Sequence, residues 1–279
     1  MNPRLSPQTE SALSDTLLIP LWAKAVEYGR ADALLQDAEA ARMLEAVDYD
    51  FSRFARARAS QPGCCARAAL IDETVQDFLS RHAQAVVVQL GAGLDARYER
   101  LGRPQNVIWY DLDLPPVITL RERLLPARGN HYLAASMLEE AWMHKVAAHG
   151  LPLLLVIEGV LMYFDEAVVR GFFANVARIL PAAELVFDAL PPLMVGKARH
   201  HDALGKLDEV PQFKWALADA RTLQSWQPGL HVYRQTGLSS RCAHRYPLFL
   251  RLLYRTALGR RLLDPHIMHI GLTAPKAAD

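Results

Sequence analysis

Three places in the 279-residue sequence set chemistry-bearing residues where a strand would end. The apolar run Ala85-Val86-Val87-Val88-Gln89-Leu90 is followed at once by Gly91-Ala92-Gly93. Glycine lets a backbone turn tightly and approach a ligand closely, and a strand, glycine turn, helix step is where a doubly wound sheet binds a cofactor. Alone, such a turn is also an ordinary tight turn. The second element is an acidic residue ending the next strand about 20 residues on, to hold ribose hydroxyls. Asp111 and Asp113 lie 20 and 22 residues after Gly91. Asp113 precedes Leu114-Pro115, a helix start, and fits the strand's carboxyl end better. The third place is Glu158, which ends the apolar run Leu153-Leu154-Leu155-Val156-Ile157. A carboxylate there is costly unless it is paired, so its presence argues for function.

The glycine turn alone leaves the cofactor open. Gly91-x-Gly93-x-x-Ala96 also fits a relaxed dinucleotide pattern. Asp95 speaks against that, because it would repel a pyrophosphate held on backbone N–H groups. S-adenosylmethionine carries a sulfonium cation and no phosphate, so a carboxylate beside its methionyl end is welcome. The same Asp95 can also cap the following helix.

The elements needed to position these residues are legible in the hydrophobic pattern. Residues 1–60 read as helical, with Leu17, Leu18 and Leu21 near helical spacing, Pro20 interrupting, and a further helix over 37–46. Gln61-Pro62-Gly63 reads as a break, and 64–78 as an amphipathic helix. Strands are expected at 85–90, 106–110, 131–135, 153–157 and 184–188, with helices at 115–125 and 166–180 between them. Alternating strands and helices predict a doubly wound, mostly parallel α/β sheet. Residues 191–228 read as a helical insertion or lid, 230–235 and 266–272 as two last strands, and 251–258 as a helix between them.

Composition narrows the partners. Lysine plus arginine number 31 against 30 aspartate plus glutamate, a net charge of +1. With 51% hydrophobic residues the composition excludes a disordered chain, and the balanced charge argues against nucleic-acid capture by a broad basic field. Cys64, Cys65 and Cys242 are too few for a disulfide framework and lack zinc spacing, which predicts a reducing, cytoplasmic setting and no metal. No apolar run reaches the ~18 residues of a membrane span, and the N-terminus, with Glu10 and Asp15, lacks a signal pattern. No nucleic acid and no membrane is expected among the partners. The oligomeric state is left open.

The sequence resembles the leucine carboxyl methyltransferase family, including its bacterial polyketide O-methyltransferase branch. The resemblance rests on ordered motifs. Val87-Val88-Gln89-Leu90-Gly91-Ala92-Gly93-Leu94-Asp95-Ala96-Arg97-Tyr98 looks like the first, and Trp109-Tyr110-Asp111-Leu112-Asp113-Leu114-Pro115 like the second. Ile157-Glu158-Gly159-Val160-Leu161-Met162-Tyr163-Phe164 looks like the most distinctive one. Leu21-Trp22-Ala23-Lys24-Ala25-Val26-Glu27 and Ala66-Arg67-Ala68 resemble the N-terminal motifs. The match spans about residues 15–190 and loosens afterwards.

The resemblance implies a class I methyltransferase fold with a seven-stranded sheet, using S-adenosylmethionine. It implies one domain: a helical cap (1–80), a cofactor-binding core (84–190), the lid (191–228), then C-terminal strands and helix (229–279). Lys24 and Arg67 would hold the methionine carboxylate, a role suited to charge-assisted donors. Gly91, Gly93 and Asp95 would flank the methionyl part, and Asp113 the ribose. Ser136 and Met137 would flank the adenine, although the family often has aspartate where Ser136 stands. Glu158 would face the sulfonium and substrate, and Tyr163 would orient the substrate oxygen. The reaction implied is methyl transfer to an oxygen of a small-molecule acceptor. A carboxylate needs no general base whereas a hydroxyl does. No base dyad is apparent, and only His200 and His201 are considered. His266 and His269, three apart on a strand, point to opposite faces and cannot chelate a metal. Lys197, Arg199 and Trp215 are candidates to shape the acceptor pocket. Arg251, Arg255, Arg260 and Arg261 read as a solvated helix face. An NAD-dependent oxidoreductase and a methyltransferase acting on a protein's C-terminal carboxyl are the alternatives.

Overall fold

The computed structural model describes residues 13–273. Expectations for residues 1–12, including Glu10, and for 274–279 lie outside the described residues. The helices are α1 (Leu13–Glu27), α2 (Ala38–Ala46), α3 (Ser60–Arg81), α4 (Arg97–Arg100), α5 (Pro115–Leu124), α6 (Ala141–Ala147), α7 (Glu166–Ile179), α8 (Ser239–Cys242), α9 (Leu248–Leu253) and α10 (Ala257–Leu263). The strands are β1 (Ala85–Leu90), β2 (Val107–Asp113), β3 (His131–Ala134), β4 (Leu153–Ile157), β5 (Glu184–Ala189), β6 (Leu230–Gly237) and β7 (His266–Leu272). They form one seven-stranded sheet in the order β3-β2-β1-β4-β5-β7-β6. The first five pair in parallel, and β7 runs antiparallel to both β5 and β6.

The apolar strands are continuous because helices cover both faces of the sheet. Val86, Val88 and Leu90 of β1 join Trp142 of α6 and Phe172 and Phe173 of α7 in one core. Val87 points the other way, with Trp109, Leu154 and Val156, onto Ile71, Val75 and Phe78 of α3. A third cluster joins α1 and α2 to Leu94 and to the segment carrying Ala198, Leu204 and Phe213. The N-terminal helices are therefore packed over the carboxyl ends of the strands.

Four local expectations are corrected. Gln61-Pro62-Gly63 does not break the chain but forms part of the first turn of α3, where amides have no intrahelical partner and proline costs little. The helix α1 likewise continues through Pro20. Residues 191–228 are not helical. They form four short 3-10 turns, Pro192–Met194, Ala198–His200, Leu204–Lys206 and Ala220–Ser225, in a segment punctuated by Pro191, Gly196, Gly205, Pro211 and Pro228. The single helix expected at 251–258 is two, because Thr256 caps α10 by accepting the Gly259 N–H at 2.9 Å. Among the described residues no helix is long and apolar enough to cross a membrane.

Candidate active site

Strand order reverses between β1 and β4, the crevice where open α/β sheets bind ligands. The glycine turn leaves β1 there. Gly91 and Gly93 both have left-handed backbones, φ +66° and +51°. A Cβ at Gly91 would meet Val160 Cγ2 at 2.4 Å, and one at Gly93 would meet Leu17 Cδ2 at 3.0 Å. Glycine is thus required twice, by conformation and by close approach of α1 and the β4 loop. Asp113 ends β2 and pins the turn, accepting the Gly93 N–H at 2.8 Å and the Leu114 N–H at 2.7 Å. Burial outweighs those two bonds and pushes its carboxyl above the ordinary range.

Beneath the turn lies a buried ionic network that sequence reasoning missed. Lys24 donates to Asp95 at 2.5 Å, and Gln89 Nε2 donates to the other Asp95 oxygen at 2.8 Å. Arg97 bridges Asp72 at 2.7 Å and Asp95 at 3.0 Å, and its Nη2 also bonds Glu158. Arg100 reaches Asp37 and Asp72, each at 2.7 Å, and Asp95 at 3.0 Å. Arg67 donates to Glu158 at 3.0 Å and Asp188 at 3.1 Å, while Asp188 also accepts the Gly159 N–H at 2.6 Å. Burial alone would raise Asp95, but Arg100, Arg97 and Lys24 hold it well below the ordinary carboxylate range. Glu158 is lowered in the same way, with Arg67 and Arg97 outweighing burial. Asp188 stays raised, because burial exceeds what Arg67 and the Gly159 N–H return.

All ten residues named from the sequence line one cavity of about 620 Å³, within the ~300–1,000 Å³ typical of small-molecule sites. Lys24 comes from α1, Arg67 from α3, Gly91, Gly93 and Asp95 from the turn, and Asp113 from β2. Ser136 and Met137 follow β3, and Glu158 and Tyr163 follow β4. Asp95 caps no helix, contrary to one expectation. The N-cap of α4 is Ala96, with no side-chain bond, and the Asp95 carboxylate is spent on cations. Of the lid candidates, Trp215 is buried against the sheet core, Lys197 and Arg199 are exposed, and none of the three lines the cavity. His201 does line it, with Phe213, Met162 and Phe164, whereas His200 points elsewhere. Among the described residues no group of acidic, His or Cys side chains could hold a metal ion. His269 instead pairs with Glu184 at 2.7 Å.

The donor set fits S-adenosylmethionine. The network holds four cations (Lys24, Arg67, Arg97, Arg100) and five carboxylates (Asp37, Asp72, Asp95, Glu158, Asp188), a formal surplus of one negative charge. That complements a ligand bearing a sulfonium, an ammonium and one carboxylate. Gln89 Oε1 is a buried acceptor without a donor among the described residues, and Gln89 lines the same cavity. Each Asp113 oxygen uses one acceptor site on a backbone N–H and keeps another for a ribose hydroxyl.

The sequence profile of the leucine carboxyl methyltransferases matches residues 17–177. The chain belongs to that family. The tetracenomycin polyketide synthesis O-methyltransferase of Streptomyces glaucescens is 36% identical over 81% of this chain and 83% of its own. An S-adenosyl-L-methionine-dependent methyltransferase of Gibberella zeae is 26% identical over 81% of this chain and 82% of its own. Among solved structures, a methyltransferase candidate from Thermobifida fusca superposes with a TM-score of 0.55 at 14% identity, covering 91% of this chain and 94% of that one. The fold is that of the class I methyltransferases, and this leucine carboxyl methyltransferase family member is an S-adenosylmethionine-dependent methyltransferase. Family membership sets aside the oxidoreductase alternative.

Proposed function

We propose that this chain is an O-methyltransferase, working as one domain, that esterifies a carboxylate on an apolar, polyketide-like small molecule. The observation that carries the choice of acceptor is the protonation of the polar side chains at the cavity's apolar end. Burial pushes the Tyr163 phenol up to about 12, so it keeps its proton at neutral pH. Burial lowers His201, only partly opposed by Asp202, so the imidazole is neutral. Its Nδ1 accepts the Leu204 N–H at 3.3 Å, and its Nδ1 and Nε2 lie 3.3 and 3.5 Å from the Ser60 hydroxyl. With the phenol protonated and the His201 Nδ1 lone pair spent on the Leu204 N–H, the apolar end offers no free base, which suits an oxygen that arrives already ionised.

S-adenosylmethionine supplies an activated methyl group, so the protein's part is chiefly proximity and orientation. Arg67 and Lys24 hold the methionine carboxylate using donors left over from Glu158, Asp188 and Asp95. Asp113 holds the ribose, and Ser136 and Met137 border the adenine. Glu158, fixed by Arg67 and Arg97, would offer negative charge to the sulfonium. Tyr163 orients the acceptor oxygen. The walls of Leu17, Ile19, Met162, Phe164 and Phe213 support an aromatic or polycyclic acid, as does the tetracenomycin relative's name. The three cysteines are free, in keeping with a cytoplasmic setting.

The test is transfer of labelled methyl from S-adenosylmethionine to a panel of aromatic carboxylic acids and phenols, followed by mild alkali. A methyl ester releases its label as methanol, whereas an aryl methyl ether keeps it. Alkali-labile label on the acids is expected. Alkali-stable label on the phenols would establish a hydroxyl acceptor instead.

A further inference from the structure

A second large concavity among the described residues shares no lining residue with the cofactor cavity. It is a cleft of about 1190 Å³ between the β6–β7 edge and the C-terminal helices. The segment over it is unusual in charge: residues 241–263 contain six arginines and no acidic residue, in a chain whose net charge is only +1. Arg241, Arg245 and Arg260 are engaged, by Glu73, by Glu27 and by the Tyr254 carbonyl. Arg251 and Arg255 are exposed and line the cleft, and their guanidinium groups make no hydrogen bond or ion pair among the described residues.

Beside these free cations stands an apolar crest. Of the thirteen exposed large hydrophobic side chains among the described residues, six fall between Leu248 and Leu262. Leu248, Phe249 and Leu258 are 66%, 62% and 65% exposed. Leucine and phenylalanine gain nothing from water, and contiguous exposed apolar side chains mark interaction sites. A second copy of the chain would bring the same arginines face to face, which is repulsive. A wide anionic interface offers both missing partners: acyl chains for the crest and phosphates for the arginines.

We propose that α9 and α10 are a membrane-surface anchor that docks the protein on bilayers rich in anionic lipid, with Leu248, Phe249, Leu252 and Leu258 entering the acyl boundary and Arg251 and Arg255 on the phosphates. This departs from the expectation of no membrane partner, which rested on the lack of a spanning run, since surface attachment needs none. It gives Arg251 and Arg255, expected as part of a solvated helix face, a partner. It is independent of the acceptor proposed above, because none of these residues lines the cofactor cavity.

The experiment is co-sedimentation of the full chain with vesicles of phosphatidylglycerol or of phosphatidylcholine, with a short DNA duplex as a polyanion control. The variants are Arg251→Glu/Arg255→Glu and Leu248→Ser/Phe249→Ser, each checked for unchanged S-adenosylhomocysteine binding as proof of folding. Binding to phosphatidylglycerol at least tenfold stronger than to phosphatidylcholine, and lost in both variants, is expected. No sedimentation with phosphatidylglycerol at low salt would overturn the proposal. So would binding lost only in the arginine variant and matched by DNA, which would mark a general polyanion surface. Self-association in the absence of vesicles, abolished by Leu248→Ser/Phe249→Ser, would also overturn it by showing that a second copy covers the crest.

Discussion

Lys24, on the first described helix, places its ammonium 2.5 Å from the carboxylate of Asp95, 71 residues away in the glycine turn. Both side chains are nearly solvent-free, 2% and 10% exposed. The N-terminal helix is thereby tied to the loop that approaches the cofactor, through a charge pair shared with Arg97 and Arg100. The wall of the cavity lined by Lys24 and the glycine turn is built by this contact rather than by the sheet alone.

Replacing Asp95 by Asn should be costly for stability. It leaves Lys24, Arg97 and Arg100 buried without their common carboxylate, and breaking a buried pair from one side costs about 3–5 kcal/mol. Urea denaturation of Asp95→Asn against wild type measures it. A loss below about 1 kcal/mol would mean that the network is not held as described.

Gly91→Ala tests the turn itself. A left-handed conformation costs a non-glycine residue about 1–2 kcal/mol, and the added methyl collides with Val160. Gly91→Ala should destabilise the chain and weaken S-adenosylhomocysteine binding. Gly91→Ala/Val160→Ala should recover the steric share but not the conformational one. Full recovery in the double variant would show that the backbone angle carries no cost.

Acid should unfold the protein through identifiable groups. Asp95 and Glu158 have folded values below their usual 3.8 and 4.5. Glu184 is lowered to about 2, with His269 and Arg81 outweighing burial. Groups lowered on folding stabilise fully above their unfolded values and lose that contribution as pH falls through the folded ones. Asp113 and Asp188, which are raised, act in the opposite sense and recover a part. The melting temperature should therefore decline gently below about pH 6.5, where His201 and His266, lowered by burial, begin to favour the unfolded chain, and fall steeply from about 4.5 towards 2. A melting temperature unchanged down to pH 3 would contradict the lowered values of Asp95, Glu158 and Glu184.

Tyr163→Phe should lower kcat while leaving cofactor affinity unchanged. One oriented hydrogen bond to the acceptor is worth about 0.5–1.5 kcal/mol. Steady-state rates with a methylated acid, set beside the calorimetric Kd of S-adenosylhomocysteine, separate the two effects. An unchanged kcat would remove Tyr163 from the acceptor site.

What the sequence made legible was whatever a short window encodes. β4 has the expected bounds because an unbroken apolar run between Pro152 and Glu158-Gly159 admits one reading, and β7 has them too, although His269 and Gly271 interrupt its apolar run. Asp113 and Glu158 stand out because they end such runs. Arg97, Arg100, Asp72 and Asp188 were missed as site-building residues, since their pairing spans up to 121 positions and no local spacing announces it. A usable signal existed for Arg97, an arginine inside the first motif that is fully buried in the fold. The segment 191–228 holds 3-10 turns where helices were expected, because Pro191, Gly196, Gly205, Pro211 and Pro228 interrupt it, and such punctuation favours turns. His201 and Phe213 reach the cavity from those turns, so their part in it could not be read from periodicity.

The most direct test of the site is a calorimetric titration of S-adenosylhomocysteine into the wild-type chain, Arg67→Ala and Asp113→Ala. Each variant removes charged hydrogen bonds worth about 1–3 kcal/mol. The account predicts one-to-one binding by the wild type and a weakening of roughly 5- to 150-fold in each variant. Wild-type affinity retained in both variants would contradict the placement of the methionine carboxylate at Arg67 and of the ribose at Asp113.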